Sequence, residues 1–454
     1  MTAMNFKMMN SLRFNTLYNW SVHYTNSIEK NYSQKFPLKR IGDFLFRDKT
    51  PIEIQDDIVY KRVKIRINGG GISVRDEEIG KQIGTKSQFL VKQSQFLLSK
   101  IDARNGAFGV VPEECEGAII TGNFWTFDID YEQINPHYLK LFTSTKHFQE
   151  LCQRASNGTT NRNYLQEGLF INMEVPLPDL DLQNQLINQY NKNFEKAQKS
   201  ENQANELEKG IESYLLNELG IELLKPIEKK LGLQFLRAKE LSRWDCDFLE
   251  NQWIFKLIIE KGKYQSINFG DILISSQYGI SEMSDKEVKG LPMLRMNNIF
   301  NGELDISNLK YVEMKGDTSR LLLQKGDLLF NRTNSKELVG KTAIFDVDGD
   351  FLFASYLIRL KLDVSKIDLH YTNYLFNSKI IRTQINMVSR QIIGQANINL
   401  TELKSFVFPL PPPEIQTQIV NHITTQKEQI KNLRHQAEKL RKQAKENFEK
   451  EIFV

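Results

Sequence analysis

Cysteine is scarce in this sequence. Cys115, Cys152 and Cys246 are the only three in 454 residues, and they lie far apart. So sparse and odd a set argues against a disulfide framework and against a cysteine-rich zinc site. Long apolar runs are missing as well. Nothing approaches the roughly 18 apolar residues that a membrane-spanning helix needs. Residues 1–20 mix Asn, Ser, Lys and Arg among their apolar residues and lack the apolar stretch of a secretory signal. A cytoplasmic protein without a membrane partner is expected. Pro and Gly number 12 and 25, against 40% hydrophobic and 26% charged residues, which excludes collagen-like, mucin-like and disordered chains. At roughly 150 residues per domain, the length allows about three domains or two large ones. Net charge is +4, too small to declare nucleic-acid binding by itself, but compatible with local basic patches.

Catalytic signatures are missing too. Gly340-Lys341-Thr342 ends like a phosphate-binding loop, but Ser335 stands where the first glycine belongs. It reads as a turn between strands. Gly69-Gly70-Gly71 does not extend to a dinucleotide fingerprint, because Val74 holds the place of its last glycine. The six histidines (His23, His137, His147, His370, His422 and His435) form no His-Glu-x-x-His pair. There is no Gly-x-Ser-x-Gly elbow and no kinase set. The Asn/Asp-Pro-Pro-aromatic tetrapeptide of adenine methyltransferases is also missing, since Pro411–Pro413 lie between Leu410 and Glu414. No catalytic residue and no metal ligand is assigned.

What the chain does contain is itself, twice. Leu12-Arg13 and Trp20 recur as Leu236-Arg237 and Trp244, at an offset of 224. Gly42-Asp43 recurs as Gly270-Asp271, offset 228, and Phe96-Leu97-Leu98 as Leu328-Leu329-Phe330, offset 232. Arg62 and Gly69 match Arg295 and Gly302, offset 233, while Gly158 and Asn161 match Gly394 and Asn397, offset 236. Pro176-Leu177-Pro178 with Gln183 and Gln185 matches Pro409-Leu410-Pro411 with Gln416 and Gln418, again at 233. The matches keep their order along the chain, and the search for repeats precedes other readings.

Each copy has two parts. The first is mixed, with β-like runs such as Phe124–Phe127 and Leu357–Leu362 separated by turn residues. Helical patterns follow near Tyr138–Cys152 and Tyr371–Val388. The second part is a rod opened by the Pro-Leu-Pro motif. Ile423, Ile430, Ala437 and Ala444 recur every seven residues, flanked by Leu433 and Leu440, and Tyr190, Ala197, Ala204 and Ile211 do so in the first rod. This is a coiled-coil seam. The first rod (179–219) carries 4 basic and 8 acidic residues and the second (413–454) 8 basic and 6 acidic, so opposite net charges favour their pairing. Each rod is roughly 60 Å long at 1.5 Å per residue. The expected fold is therefore α/β (α+β): globular domains at 1–178 and 221–412, and helices at 179–220 and 413–454. The helices would pair as an antiparallel coiled coil with pseudo-twofold symmetry.

Basic and polar loops lie between the strand-like runs. One set is Arg62, Lys64, Arg66 and Asn68, matched by Arg295, Asn297 and Asn298. A second is Lys100, Arg104 and Asn105, matched by Arg332, Asn334 and Lys336. A third is Arg154, Asn157, Thr159, Thr160, Asn161 and Arg162, matched by Arg390, Gln391, Gln395 and Asn397. Arg suits guanine, Asn and Gln suit adenine, and hydroxyls read permissively. Lys and Arg also hold phosphates. Solvated loop chemistry would give the same residues, but their recurrence in both copies favours DNA contact for the sets.

A tandem globule–rod chain with Pro-Leu-Pro and a glutamine at each rod resembles the specificity subunit of type I restriction–modification enzymes. The resemblance is carried by the two Pro-Leu-Pro…Gln motifs, by Gly158…Asn161 and Gly394…Asn397, by the two Gly-Asp pairs and by Leu291–Ile299. It implies that each domain is a target recognition domain reading one half of a bipartite, asymmetric site in double-stranded DNA. It further implies that the rods set the spacing of the half-sites and dock two adenine-N6 methyltransferase subunits, with motor–nuclease subunits added for cleavage. S-adenosylmethionine would then belong to the methyltransferase, ATP and Mg to the nuclease, and no cofactor to this non-catalytic chain. A coiled-coil adaptor with two protein-binding domains, and an enzyme with an unrecognised site, remain the competing readings.

Overall fold

The computed structural model describes residues 35–157, 163–222, 261–313, 318–388, 390–392 and 395–453. Leu12, Arg13, Trp20, Leu236, Arg237, Trp244 and Cys246 lie outside them. The chain packs as two compact units. One holds the residues up to Ser200 together with those from His435 onward, and the other is Glu201–Arg434. The division falls inside the rods, whereas the repeat places its boundaries at their ends. Each rod buries part of its apolar face in one unit and part in the other.

In the first unit, Leu45–Asp48, Phe124–Ile129, Phe96–Ser99 and Phe108–Val110 form a four-stranded antiparallel sheet in that spatial order. A five-stranded sheet runs Pro51–Glu53, Ser87–Leu90, Ile119–Ile120, Val59–Ile65, Ile72–Ile79. Phe96, Phe127, Tyr138 and Phe170 fill the main core, joined by Leu186 and Ile187 of the first rod and by Phe448 and Ile452 of the second. The Tyr138 and Phe448 rings lie 5.7 Å apart. Fully burying a side chain of this size contributes about 1.5–3 kcal/mol.

The second unit repeats the four-stranded sheet, as Leu273–Tyr278, Leu357–Leu362, Leu328–Asn331 and Thr342–Ile344. Its core joins Phe330, Phe376 and Phe408 to Leu215 and Leu219 of the first rod and to Ile419 and Ile423 of the second. Arg434 binds Glu201 and Glu208, while Tyr214 stacks on His422. The two helices are therefore antiparallel here. They span Leu180–Leu219 and Pro413–Ile452, 40 residues each. Ala197, Ala204, Ile423, Ile430, Ala437 and Ala444 are buried, and Tyr190, Ile211, Leu433 and Leu440 half-buried.

The repeated motifs have mechanical reasons. Gly42 and Gly270 sit in one-turn helices where a Cβ would lie 3.1 and 3.2 Å from the carbonyl oxygens of Ile171 and Lys404. Asp43 and Asp271 accept from the backbone N–H three residues earlier. Gln183 and Gln416 are buried. The amide of Gln183 donates to Pro178 O at 2.8 Å and accepts from Asn135 N at 2.8 Å. Gln416 donates to Pro411 O at 2.9 Å and accepts from Asp368 N at 2.7 Å. Each glutamine thus pins the start of a rod to the N-terminal end of its domain's first long helix.

The helical stretches are broken where the sequence pattern runs through. Pro136–Thr143 ends before Thr145, whose hydroxyl caps Lys146–Arg154 by accepting from Phe148 N. Leu369–Phe376 and Lys379–Val388 are likewise separate, at Asn377 and Ser378.

Candidate nucleic-acid interface

One backbone node recurs in both units. After the strand Phe96–Ser99, Lys100 donates its N–H to Asn123 O at 2.9 Å and its carbonyl accepts from Leu165 N at 2.8 Å. After Leu328–Asn331, Arg332 donates to Tyr356 O at 2.9 Å and accepts from Ile398 N at 3.0 Å. Each node sits beside a hairpin that follows the second short helix: Ser156–Asn157 with Tyr164–Leu165, and Arg390–Ile392 with Gln395–Asn397. The second hairpin also pairs with Thr333–Asn334. Sheet hydrogen bonds thereby join Thr333–Asn334 to the hairpin in the second domain, while in the first the bond from Leu165 N joins Lys100 to it.

The side chains at the nodes differ. The Lys100 ammonium lies 5.7 Å from the Tyr164 ring centroid. The Arg332 guanidinium lies 5.0 Å from that of Tyr278 and donates through Nη2 to Asn397 Oδ1 at 3.2 Å. Its Nε is buried without a partner. This geometry corrects one sequence match. Leu165 and Ile398 are equivalent, so the counterpart of Asn397 is Tyr164, at offset 233, and not Asn161.

The first loop set lies elsewhere. Arg62 is held by Asp76 at 2.6 Å and Glu78 at 3.2 Å across the hairpin Val59–Ile79, so its charge is already neutralised. The sheet register sets Arg62 opposite Ile119 and Met293 opposite Leu352, so Arg295 is displaced from Arg62's place. Lys64 and Arg66 are exposed, and Asn68 opens the turn with φ 57°. Arg295 is half-buried and Asn297 exposed. Asn298 is 2% exposed, accepts from Arg295 N and donates to Asp305 O. Its side chain braces the loop and is not offered to a ligand.

Arg104 and Asn105 lie on a one-turn helix, where Asn105 donates to Asp102 at 3.1 Å. Arg154 is 3.9 Å from Glu150. Asn334 caps its own loop by accepting from Ser335 N, and Lys336 and Gln395 are exposed. Thr159, Thr160 and Arg162 lie outside the described residues, as do Gly158, Asn161 and Gly394. Arg390 and Gln391 are placed by their strand.

Sequence reasoning missed Tyr164, Tyr278, Lys341 and Arg382 here. Tyr278 ends a strand 54 residues before Arg332 and had no motif to mark it. Lys341 belongs to the rejected phosphate-loop match, and Gly340 is indeed a turn with φ 83°. The Lys341 ammonium stands 5.9 Å from the Phe300 ring centroid, and burial, then the nearby Arg382 charge, push its pKa down. Arg382 donates to Val339 O at 2.7 Å. Among the described residues, no three His, Cys, Asp or Glu are grouped to hold a metal ion, and no helix is long and apolar enough to cross a membrane.

Two repeated α/β domains, each followed by a long helix and each carrying a cation at one backbone node, define a class. Residues 258–442 match the family described as the type I restriction modification DNA specificity domain. The match spans the second domain and most of the helix that follows it. It is 32% identical over 225 residues to a Methanocaldococcus jannaschii protein named as the specificity subunit of type I restriction enzyme MjaX, covering 49% of this chain and 50% of that one. It is 29% identical over 164 residues to the EcoKI specificity subunit of Escherichia coli, covering 35% of each. These matches span half or less of either relative. A chain solved in work on assembly and conformational transition of the type I R-M system shares the fold, with a TM-score of 0.58 at 13% identity over 92% of this chain and 96% of that one.

Proposed function

We propose that this chain gives a type I restriction–modification system its DNA specificity, each domain reading one half of a bipartite, asymmetric site in double-stranded DNA. The observation that carries this reading is the pair of nodes. Their backbone hydrogen bonds are equivalent, yet they present Lys100 on Tyr164 in one domain and Arg332 on Tyr278 with Asn397 in the other. Duplicated catalysis would keep the same polar set, whereas two readers of different half-sites need different ones. Exposed Lys64, Arg66 and Lys336 suit phosphate contacts, which position a protein without specifying sequence.

In this reading the paired helices set the distance between half-sites and dock two adenine-N6 methyltransferase subunits in the cytoplasm, with motor–nuclease subunits joining for cleavage. The methyltransferase carries S-adenosylmethionine and the nuclease ATP and Mg. This chain contributes recognition and register while its partner flips the adenine out of the stack.

The test is single-molecule mapping of adenine methylation in cells co-expressing the chain with its methyltransferase. A split motif with a fixed gap, lost when the chain is omitted, is expected. Methylation indifferent to the chain would favour an adaptor role. Deleting one heptad of the second rod, Leu433–Lys439, should shift or abolish recognition at the original gap. An unchanged gap would refute the spacer role.

A further inference from the structure

The Arg332 node allows a narrower assignment, which rests on the DNA-reading function proposed above. A guanidinium has five N–H donors in a rigid fork. At Arg332 one Nη2 hydrogen goes to Asn397, and the Nε hydrogen is buried. Three hydrogens remain on Nη1 and Nη2, the terminal edge of the fork, and the guanidinium carbon lies 5.0 Å from the centre of the Tyr278 ring. That edge matches the paired O6 and N7 acceptors of guanine in the major groove. The residue is half-buried and Tyr278 is 42% exposed, so the fork is held yet reachable.

We infer that Arg332 reads a guanine in the half-site of the second domain, and that Asn397 and Tyr278 are positioning residues that fix the plane of its guanidinium. Asn397, although a residue type suited to adenine, has its acceptor engaged by the arginine. The equivalent node of the first domain has no such fork. Lys100 is a point charge on a flexible stem, and Tyr164 occupies the place of Asn397. Among the described residues, the first domain accordingly offers no arginine fork at the corresponding node.

The experiment is methylome mapping with the full chain and its methyltransferase, comparing wild type with Arg332→Lys, Asn397→Ala, Asn397→Asp and Tyr278→Phe. Arg332→Lys should relax one G·C position in one half-site by roughly ten- to hundredfold, leaving the other half-site and the gap unchanged. Asn397→Ala should relax the same position more weakly. Asn397→Asp, which keeps the acceptor, and Tyr278→Phe, which keeps the ring, should preserve it. A purely structural role for Asn397 would lower methylation at every site without changing base preference.

The assignment is overturned if Arg332→Lys leaves the base preference intact at every position. It is also overturned if that variant weakens methylation uniformly, as a phosphate contact would. A wild-type chain that directs no split motif refutes the DNA-reading function itself, and this assignment with it. A split motif that persists unaltered in the variants refutes the assignment alone.

Discussion

The two domains solve one packing problem with their polar residues exchanged. On the edge strand of the first four-stranded sheet, Asp48 pairs with Thr126; in the second sheet Gln277 pairs with Arg359. The next-but-one strand supplies the partner. Gln95 donates to Asp48 at 2.7 Å in the first domain, while Asp327 lies 3.6 Å from Arg359 in the second, and Arg359 also donates to Gln277. Acid and amide have changed places between strands. What both keep is an acceptor for the preceding turn: Gln95 accepts from Lys92 N at 3.0 Å and Asp327 from Gln324 N at 2.9 Å. The fold demands that buried donors be satisfied, not that a given residue do it. Two copies can therefore diverge in sequence without changing scaffold.

The largest test of that equivalence lies in the cores. Phe127 and Leu360 occupy matching strand positions and are fully buried. Phe127→Ala should cost about 3–5 kcal/mol and Leu360→Ala about 2–5 kcal/mol. Hydrogen exchange should show protection lost only in the domain that carries the change. Loss in both would mean that the units do not unfold independently.

Next come Gln183→Ala and Gln416→Ala. Each leaves a prolyl carbonyl and a helix-capping N–H without a partner, at about 1–3 kcal/mol per group. Similar losses are expected in the two variants, read by the same exchange measurement, with Gln183→Ala the larger because Gln183 also donates to Gln133 O at 2.9 Å. A neutral change in either domain would show that water replaces the amide there.

Asp48 sharpens the contrast by pH. Burial opposes its ionisation, but hydrogen bonds from Thr50, Lys92 and Gln95 outweigh that and hold its pKa below the usual carboxylate range. A carboxyl depressed in the folded state stabilises above its unfolded pKa, about 3.9, and loses that contribution as pH falls toward the folded value. Asp48→Asn should therefore cost about 2 kcal/mol at neutral pH and progressively less below about pH 4. Denaturant melts of the first domain across that range check the slope. A penalty independent of pH would place the effect in packing.

Much of this was legible beforehand because it depends on spacing. The heptads marked both rods, and the Pro-Leu-Pro…Gln motifs fall where a buried glutamine joins helix to domain. Phe124–Phe127 and Leu357–Leu362 lie in strands. The Arg332 node was less legible because its residues meet through sheet pairing over long separations. Arg332, Tyr278 and Asn397 come from three distant segments, and nothing local ties them together. Arg62 looks like a reader in the sequence because Asp76 and Glu78, which neutralise it, arrive only when the hairpin closes. Asn298 looks equally available until Asp305 folds over it. Thr145 broke the long helical pattern because its hydroxyl offers a cap that periodicity does not reveal.

The smallest expected effect concerns the rods, where the two copies differ most in charge. Glu201 and Arg434 are separated by 233 residues, the same offset as the Pro-Leu-Pro motifs, so they are equivalent positions of the repeat. Arg434 Nε lies 3.7 Å from Glu201 and Nη2 lies 2.7 Å from Glu208. A rod paired in this register with a copy of itself would set Glu201 against Glu201, or Arg434 against Arg434. The opposite charges thus favour pairing of unlike rods. The groups are partly exposed, so Glu201→Lys should cost only about 0.5–1 kcal/mol. Adding Arg434→Glu restores the contact with its charges exchanged, but sets the new carboxylate against Glu208, so rescue should be partial unless Glu208→Lys is added. A double-mutant cycle at low salt, with the coupling fading at high salt, measures this. A cycle without coupling would assign the pairing of the rods to their apolar seam alone.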